Sequence, residues 1–304
     1  MRTIDRLGVL VAGLSVACCG PKPPRSQFPT ADDALGRMKE TFACTNGVQG
    51  TAKIDHMSPK GGRVRGDLYL FAVNPDRVRF DVVSPFGATL FTLTSDGDRF
   101  EMLDLKEKQF LHGPSSPCNL ARLTQVPVPA HALVSLLRGE APVLVHQPSA
   151  ATLAWDPGGF YRIAIQSTRN ATQEIHLEIR PEDIDKDWKQ QRLRVTDVVV
   201  AQQGTDLYHA ELRGHEPART ADPRVDPEGV DEPIPPTGGA CDAELPRSIR
   251  MRVPNTEEDV IFQYKEAKWN PPIIPGSFSQ PTPAGVRTIY VDCQKGAVAE
   301  GKGP

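Results

Sequence analysis

The chain has 304 residues and a formal net charge of −3, a balance that argues against a nucleic-acid binder, which needs a basic face. Its 25 glycines and 29 prolines indicate many turns and short connections.

The first residues have the layout of a secretory signal. Arg2 and Arg6 form a positive start, and the apolar run over residues 7–16 is shorter than the roughly 20 residues that a spanning helix needs. We therefore predict a signal peptide over residues 1–17, and a mature protein that faces an extracytoplasmic space.

The end of this segment, LSVAC at residues 14–18, resembles a bacterial lipobox, with Ser15 where the usual motif has Leu. Cleavage before the cysteine of such a motif leaves an acylated N-terminus, and several acyl chains anchor a protein far more stably than one. The sequence predicts lipidation at Cys18; Cys19 and an ordinary signal peptide are the alternatives. Residues 18–30 would then form an acylated, Pro-rich tether.

A helix followed by many strands is the pattern of most of the mature chain. Thr30 or Asp32 can cap a short helix that continues to Phe42. Beyond it, apolar and polar residues alternate with a period of two, which indicates an antiparallel sheet with one solvated face. We expect strands near residues 68–73, 78–82, 88–94, 100–105, 110–111, 161–165, 175–179, 193–195, 198–200, 207–212, 249–253, 260–264 and 286–291.

Two short apolar helices interrupt the strands between residues 118 and 137. Leucines at helical spacing lie on both sides of a Val-Pro-Val-Pro bend at 126–129, and Gly139 ends the second helix. These helices are placed to cover one face of the sheet.

Residues 215–240 lack hydrophobic periodicity and are rich in proline and acidic residues, so we predict a disordered surface insertion. A calcium site there is disfavoured because the prolines spread the carboxylates and no loop-type ligand spacing occurs. Residues 294–304 are predicted to be a disordered tail.

Four cysteines remain after the lipobox and its neighbour, and in an oxidising compartment they predict two disulfides. Three pairings are open, of which we favour Cys44–Cys118 together with Cys241–Cys293. None of the four has C-x-x-C spacing or a clustered histidine, so the sequence predicts no metal site.

Catalytic motifs are absent from the mature sequence: it has no GxSxG, no GxxxxGK[ST], no HExxH and no GxGxxG after a strand. Its seven histidines are scattered over expected strand and loop surfaces. We therefore predict that the protein is not an enzyme and uses no cofactor.

The stretch SPFG at residues 84–87 places an aromatic side chain in a turn. Pro85 fixes φ at about −65° and Gly87 can adopt a positive φ, both typical of turn positions. Strand-like sequence flanks the turn, so Phe86 stands where the chain is expected to be solvated. Folding back onto its own sheet is the alternative for this side chain.

Three stretches resemble the LolB family of outer-membrane lipoprotein receptors and, more broadly, the LolA/LolB superfamily. The run from RVRFDVVSPFGATLF to residue 113 is followed by LARLTQVPVPAHALVSLLRGEAP, and ELPRSIRMRV…VIFQYKEAKWN resembles the family's closing strands. The resemblance covers residues 34–214 and 244–270. It implies a mainly β fold with a few α-helices: a half-open antiparallel β-barrel, capped by short helices around a hydrophobic cavity, as a single domain over residues 31–293.

The resemblance also implies a role in lipoprotein transport. The protein would bind acyl chains in its cavity, accept lipoproteins from a periplasmic carrier of the LolA type, and release them into the outer membrane. It would sit on the periplasmic face of that membrane as a lipid-anchored monomer. Pro85, Phe86 and Gly87 match the family's protruding loop, which implies a membrane-insertion role for them.

Alternation along the strands and the apolar positions of the helices predict which residues line the acyl-chain cavity, although an ordinary packed core is the alternative for each. They are Val78, Phe80, Val82, Leu90, Leu93, Leu120, Leu123, Leu133, Leu136 and Leu137.

The insertion at 215–240, the long tail after Trp269 and the four extra cysteines depart from the family pattern. Two other functions are therefore kept open. One is an accessory envelope lipoprotein of the same fold that binds another lipid or hydrophobic molecule, and the other is a scaffold that binds protein partners.

Overall fold

The computed structural model describes residues 21–59, 62–84, 86–293, 295 and 297–300. The predicted signal peptide, the lipidation site Cys18 and the turn residue Pro85 lie outside these residues. The helices are α1 (Ala31–Phe42), α2 (Pro117–Thr124) and α3 (Ala130–Leu137), with 3-10 turns at Pro181–Asp183 and Trp188–Gln190. The strands are β1 (Gly47–Ser58), β2 (Gly62–Val73), β3 (Arg77–Val83), β4 (Thr89–Ser95), β5 (Arg99–Asp104), β6 (Gln109–Pro114), β7 (His146–Asp156), β8 (Phe160–Ser167), β9 (Ala171–Ile179), β10 (Leu193–Gln202), β11 (Thr205–Pro217), β12 (Arg219–Thr220), β13 (Glu244–Val253), β14 (Glu258–Trp269), β15 (Arg287–Asp292) and β16 (Ala297–Glu300).

The strands form one sheet in the order β16-β15-β6-β5-β4-β3-β2-β1-β14-β13-β11-β10-β9-β8-β7, with β12 beside the end of β14. Neighbouring strands are antiparallel, except that β15 runs parallel to β6 and β12 runs parallel to β14. Because β16 and β7 are separate edges, the sheet is open. The predicted fold class, mainly β with a few helices on an open antiparallel sheet, is confirmed.

The helices cover one face of the sheet, which we call the inner face. α3 packs against β2 and β3, whereas α1 packs against β7 and β10. Inner-face residues such as Val78, Phe80 and Leu93 are at most 1% exposed, because they lie between the sheet and this helical cover. The opposite, outer face carries charged residues such as Arg79 and Asp81.

Local sequence explains where the helices begin and end. Thr30 caps α1, since its Oγ1 accepts a hydrogen bond from the N–H of Asp33 at 3.1 Å. The predicted pair of short helices is confirmed as α2 and α3, with a proline at the start of α2. Gly139 follows α3 with a φ of +84°, a conformation that ends helices and favours glycine.

Two disulfides form, but the favoured pairing is wrong. Cys44 pairs with Cys241, and Cys118 pairs with Cys293. Cys44 follows α1 at the end of the sheet where β13 begins, whereas Cys118 opens α2 next to the end of β15. These neighbours come together only through the strand order, so cysteines that are closer in sequence do not pair.

Residues 21–30 pack against the sheet instead of forming a free tether. Trp155 Nε1 donates to the carbonyl oxygen of Pro21 at 3.3 Å. Phe28 is 5% exposed and meets the ring of Tyr161 edge-on, with 5.1 Å between ring centroids. The described part of the predicted tether therefore contacts the domain through the aromatic side chains of Phe28 and Trp155.

Both segments that were predicted to be disordered contain residues with backbone pairing. β11 extends through Pro217 and pairs with β13, and β12 adds two further residues of the 215–240 segment to the sheet. Arg224 and Ile234 form an additional bridge. β16, which lies within the predicted tail, pairs with β15. Backbone pairing orders these residues although their side chains lack hydrophobic periodicity.

Candidate functional site

The β3–β4 turn holds Phe86 with its side chain 97% exposed. The N–H of Ser84 donates to the carbonyl oxygen of Ala88 at 2.8 Å, and the N–H of Gly87 donates to the carbonyl oxygen of Ser84 at 2.9 Å. Gly87 has a φ of +83°, which favours glycine. Phe86 does not fold back onto the sheet, and the hydrogen-bonded turn presents its ring to solvent.

Further apolar side chains are exposed at the same end of the sheet. Leu90 is 37% and Leu105 is 45% exposed, and the N–H of Leu105 donates to the carbonyl oxygen of Leu90 at 3.1 Å. Met57, near the end of β1, is 49% exposed. The β1–β2, β3–β4 and β5–β6 connections share this end because antiparallel neighbours alternate in direction. Phe86 is thus the most exposed member of an apolar group.

Most of the predicted cavity residues form a filled layer between the helices and the inner face. Val82 and Leu123 are partly buried and pack against this core. The members that are at most 1% exposed are Val78, Phe80, Leu93, Leu120, Leu133, Leu136 and Leu137.

Leu90 does not belong to this layer. It is more than a third exposed, whereas Leu93 is fully buried. Residues three apart in a strand point to opposite faces, and the β3–β4 register shifts by one residue between Val82 and Val83. Leu90 therefore lies outside the layer that the other predicted cavity residues form.

The C-terminal end of α3 is fixed by a buried guanidinium. Arg138 is 3% exposed, and its Nε donates to Thr45 Oγ1 at 3.1 Å. It also donates to the side-chain oxygen of Asn74 and to the carbonyl oxygen of Phe42. Glu140 lies 3.3 Å away and supplies the countercharge. Arg138 therefore joins α3 to the end of α1 and to the β2–β3 turn.

Burial also shifts the proton affinities of this pair. Desolvation lowers the pKa of the Arg138 guanidinium and raises the pKa of the Glu140 carboxyl, while each charge partly offsets the shift of the other. A second buried contact, from Tyr264 Oη to the carbonyl oxygen of Leu137 at 2.9 Å, holds the same end of α3. The helical cover is thus fixed at α3 by polar contacts and at α2 by the Cys118–Cys293 disulfide.

A cavity of about 930 Å3 lies on the outer face, and none of the ten predicted cavity residues lines it. Its floor includes Tyr69 and Phe71 of β2. Its roof comes from two segments, residues 216–224 and residues 272–277. This volume falls within the range of about 300–1,000 Å3 that is common for small-molecule sites.

The cavity opens where the sheet splits. β13 pairs with β14 only as far as Ser248 and Gln263, although its pairing with β11 continues to Glu244. Pro246 lies where the strands diverge, and proline, which has no N–H, is typical of such edges. Arg247 spans the gap, donating from Nη1 to the carbonyl oxygen of Lys265 at 3.4 Å.

Sequence reasoning missed this cavity. Its lining comes from segments that are distant in sequence, and residues 272–277 carry no hydrophobic periodicity. The usable signal is the alternation in β2, where Leu68 and Leu70 are buried while the intervening Tyr69 is 53% exposed. A large aromatic on the solvated face of a strand indicates a covered or ligand-binding surface there.

No protein-family model matches this chain. A search of curated proteins finds no relative either. Within the described residues, no helix has both the length and the apolar character required to cross a membrane.

Solved structures with a similar chain arrangement do exist. A LolA-superfamily protein from Nitrosomonas europaea is 12% identical, with a TM-score of 0.46 over 83% of this chain and 98% of that one. A DUF1329 family protein from Desulfovibrio piger is 8% identical, with a TM-score of 0.49 over 82% and 95% of the two chains. A domain described as an outer-membrane lipoprotein-sorting protein, from Vibrio parahaemolyticus, is 9% identical, with a TM-score of 0.42 over 80% and 95%. These similarities assign no ligand, partner or activity to this chain.

Proposed function

We propose that this chain is a lipid-anchored envelope protein that accepts acylated lipoproteins from a periplasmic carrier of the LolA type and releases them into the outer membrane. The observation that carries the proposal is Phe86, 97% exposed at the tip of a hydrogen-bonded turn. The lipobox-like sequence at residues 14–18 supports the anchor, and the two disulfides fit an oxidising compartment.

The energetics of Phe86 suit a transient contact. Moving one phenylalanine from water into an apolar environment contributes about 1.5–3 kcal/mol. This is one to two orders of magnitude in an equilibrium constant. Leu90 and Leu105 can add to the contact because they are partly exposed at the same end of the sheet. Such a tip can insert reversibly into a bilayer or into a carrier's cavity.

The acyl chains would lie between the inner face and the α2–α3 cover. Because that layer is filled, binding requires α2 and α3 to move away from the inner face. The bend between the two helices lies between the Cys118–Cys293 disulfide and the Arg138 contacts. Acyl chains would replace the apolar contacts that the cover gives up. Transfer needs no nucleotide in this scheme and follows a gradient of affinity from carrier to receptor to membrane.

The filled layer favours a second candidate function. If α2 and α3 stay on the sheet, the protein is an accessory or scaffold lipoprotein that binds a hydrophobic ligand or a protein partner elsewhere. The close packing of Leu120, Leu133 and Leu137, each 0% exposed, supports this alternative.

The test is a transfer assay with a soluble version that lacks Cys18. A LolA-type carrier loaded with a triacylated lipoprotein is mixed with wild type, Phe86→Glu or Val230→Glu, and liposomes are then added. Val230 is the matched control because it is 80% exposed and lies far along the chain, in the 215–240 segment. The cargo is followed by pull-down from the receptor and by flotation with the liposomes.

We expect all three proteins to take the cargo. Wild type and Val230→Glu deliver it to liposomes, whereas Phe86→Glu delivers it at least about tenfold more slowly, because a carboxylate replaces the apolar tip. Equal delivery by Phe86→Glu contradicts the role of the turn. Failure of wild type to take cargo contradicts the receptor function and favours the accessory or scaffold alternative.

A further inference from the structure

The outer-face cavity is built by chain segments that cross the sheet. Residues 270–286 run from the end of β14 to the start of β15, which lies beyond β1–β6 in the sheet order. Phe278 packs on Phe71, with 4.7 Å between ring centroids, and Gln280 Nε2 donates to Thr94 Oγ1 at 3.1 Å. These contacts hold the crossing segment on the outer face, so part of the roof is fixed.

The second part of the roof is fixed next to β14. The N–H of Ala221 donates to the carbonyl oxygen of Trp269 at 2.7 Å, and Lys268 forms an ion pair with Asp222 at 2.8 Å. β12 also pairs with the end of β14. The cavity is therefore an ordered feature between two secured segments.

An apolar surface lines part of the cavity. Tyr69 is 53% exposed in spite of its size, and Phe71 lies beside it on β2. Other apolar or proline residues that line the cavity include Pro217, Ala218, Ala221, Leu245, Ala267, Pro272 and Ile274.

The charged part of the lining is cationic overall. Six cations face four carboxylates there, in a protein whose formal net charge is −3. Arg79 is paired with Asp81 at 2.8 Å. The remaining salt bridges are Arg247–Glu216, Lys265–Asp67 and Lys268–Asp222.

Arg219 and Arg224 differ from the other cations of the lining, which form salt bridges. Both line the cavity, and neither forms a salt bridge within the part of the chain that the structure describes. Guanidinium groups bind carboxylates and phosphates through charge-assisted, often paired hydrogen bonds. The roof thus supplies two cations without a salt-bridge partner next to an apolar floor.

We propose that the outer-face cavity binds an anionic amphiphile, with the alkyl chain along Tyr69 and Phe71 and a phosphate or carboxylate group at Arg219 and Arg224. This site is separate from the inner face, and it requires neither Phe86 nor a movement of α2 and α3. The proposed binding site can therefore be tested independently of the lipoprotein-transfer function.

Isothermal titration calorimetry of the mature chain carrying Cys18→Ser tests the proposal. The probes are dodecyl phosphate, dodecyltrimethylammonium and inorganic phosphate, each below any micelle-forming concentration. The variants are Arg219→Ser with Arg224→Ser, and separately Tyr69→Ser. Arg162→Ser is the matched control, because Arg162 is an exposed strand residue of β8 that does not line the cavity.

We expect wild type and Arg162→Ser to bind dodecyl phosphate with equal affinity, and at least about tenfold more tightly than either other probe. The double arginine variant and Tyr69→Ser each lose at least about tenfold in affinity for dodecyl phosphate. Circular dichroism and thermal melting confirm that the variants are folded.

Several results would each overturn the proposal. They are no binding of dodecyl phosphate by wild type, equal binding of the cationic probe, equal binding of inorganic phosphate alone, and unchanged affinity in the folded double arginine variant. Phe86→Glu must bind dodecyl phosphate like wild type, since a loss there would move the site to the Phe86 turn.

Discussion

Replacing Arg138 by methionine tests the contacts that hold α3 over the inner face. Arg138 is buried, and it donates hydrogen bonds to the side chains of buried Thr45 and half-buried Asn74 and faces half-buried Glu140 at 3.3 Å. Removing one partner of a buried ion pair costs about 3–5 kcal/mol, because the other charge stays desolvated. Methionine fills part of the space, and Glu140 can take up a proton, so we expect a loss at the lower end of this range.

The same change should make stability depend on pH. Burial raises the pKa of the Glu140 carboxyl in the folded protein, and loss of the Arg138 charge raises it further. A carboxyl with a raised folded-state pKa binds its proton more tightly in the native state than in the unfolded chain. The contribution of this carboxyl to the free energy of unfolding is complete below the unfolded-state pKa and disappears as pH rises through the folded-state pKa. The loss in free energy of unfolding that Arg138→Met causes should therefore be smaller at pH 5 than at pH 7.5.

Urea denaturation followed by tryptophan fluorescence measures these free energies at both pH values. Adding Glu140→Gln to Arg138→Met should recover part of the loss, because no carboxylate is then left unpaired. Arg162→Met, on the exposed face of β8, is the control and should lie within about 0.5 kcal/mol of wild type. A folded Arg138→Met protein as stable as this control would show that the Arg138 contacts do not stabilise the position of α3.

Two further predictions concern stability. Paired serine substitutions remove the Cys44–Cys241 disulfide, which closes a loop with a sequence separation of 197. We expect this to lower the free energy of unfolding by about 2–5 kcal/mol in urea denaturation without reductant. A loss below about 1 kcal/mol would contradict this. Burial lowers the pKa of His215 to about 4, so the native imidazole stays neutral while the unfolded one takes up a proton near its ordinary pKa of 6.5. The contribution of His215 to the free energy of unfolding is thus complete above pH 6.5 and falls by up to about 3 kcal/mol toward pH 4. We expect His215→Gln to remove this part of the pH dependence from thermal melts, and an unchanged pH dependence would contradict this.

Hydrophobic periodicity located the parts of the fold whose side chains alternate between solvent and core. β3 is an example, with Val78 and Phe80 buried and Arg79 between them on the outer face. β1 and β7 were not predicted from the sequence. β1 contains Gly47 and Gly50 and few apolar residues, and β7 is an edge strand whose residues are largely exposed.

The disulfide pairing and the outer-face cavity depend on which distant segments become neighbours. Cys241 meets Cys44 only because β13 begins beside the residues that follow α1, and nothing in the local sequence encodes that proximity. The Phe86 turn differs, since Pro and Gly around an aromatic residue are a local signal. That is why the most exposed apolar tip could be found from sequence, whereas the cavity could not.

Where the acyl chains of a transferred lipoprotein lie can be mapped by crosslinking. A lipoprotein carrying a photoreactive diazirine in its acyl chains is transferred from its carrier to the unmodified receptor, irradiated, and the crosslinked peptides are identified by mass spectrometry. We expect crosslinks to α2, α3 and the inner-face strands, including the peptide that contains Leu133, together with the Phe86 turn. Crosslinks confined to the outer-face cavity around Tyr69, or none at all, would contradict the proposal that this protein receives acyl chains beneath its helical cover.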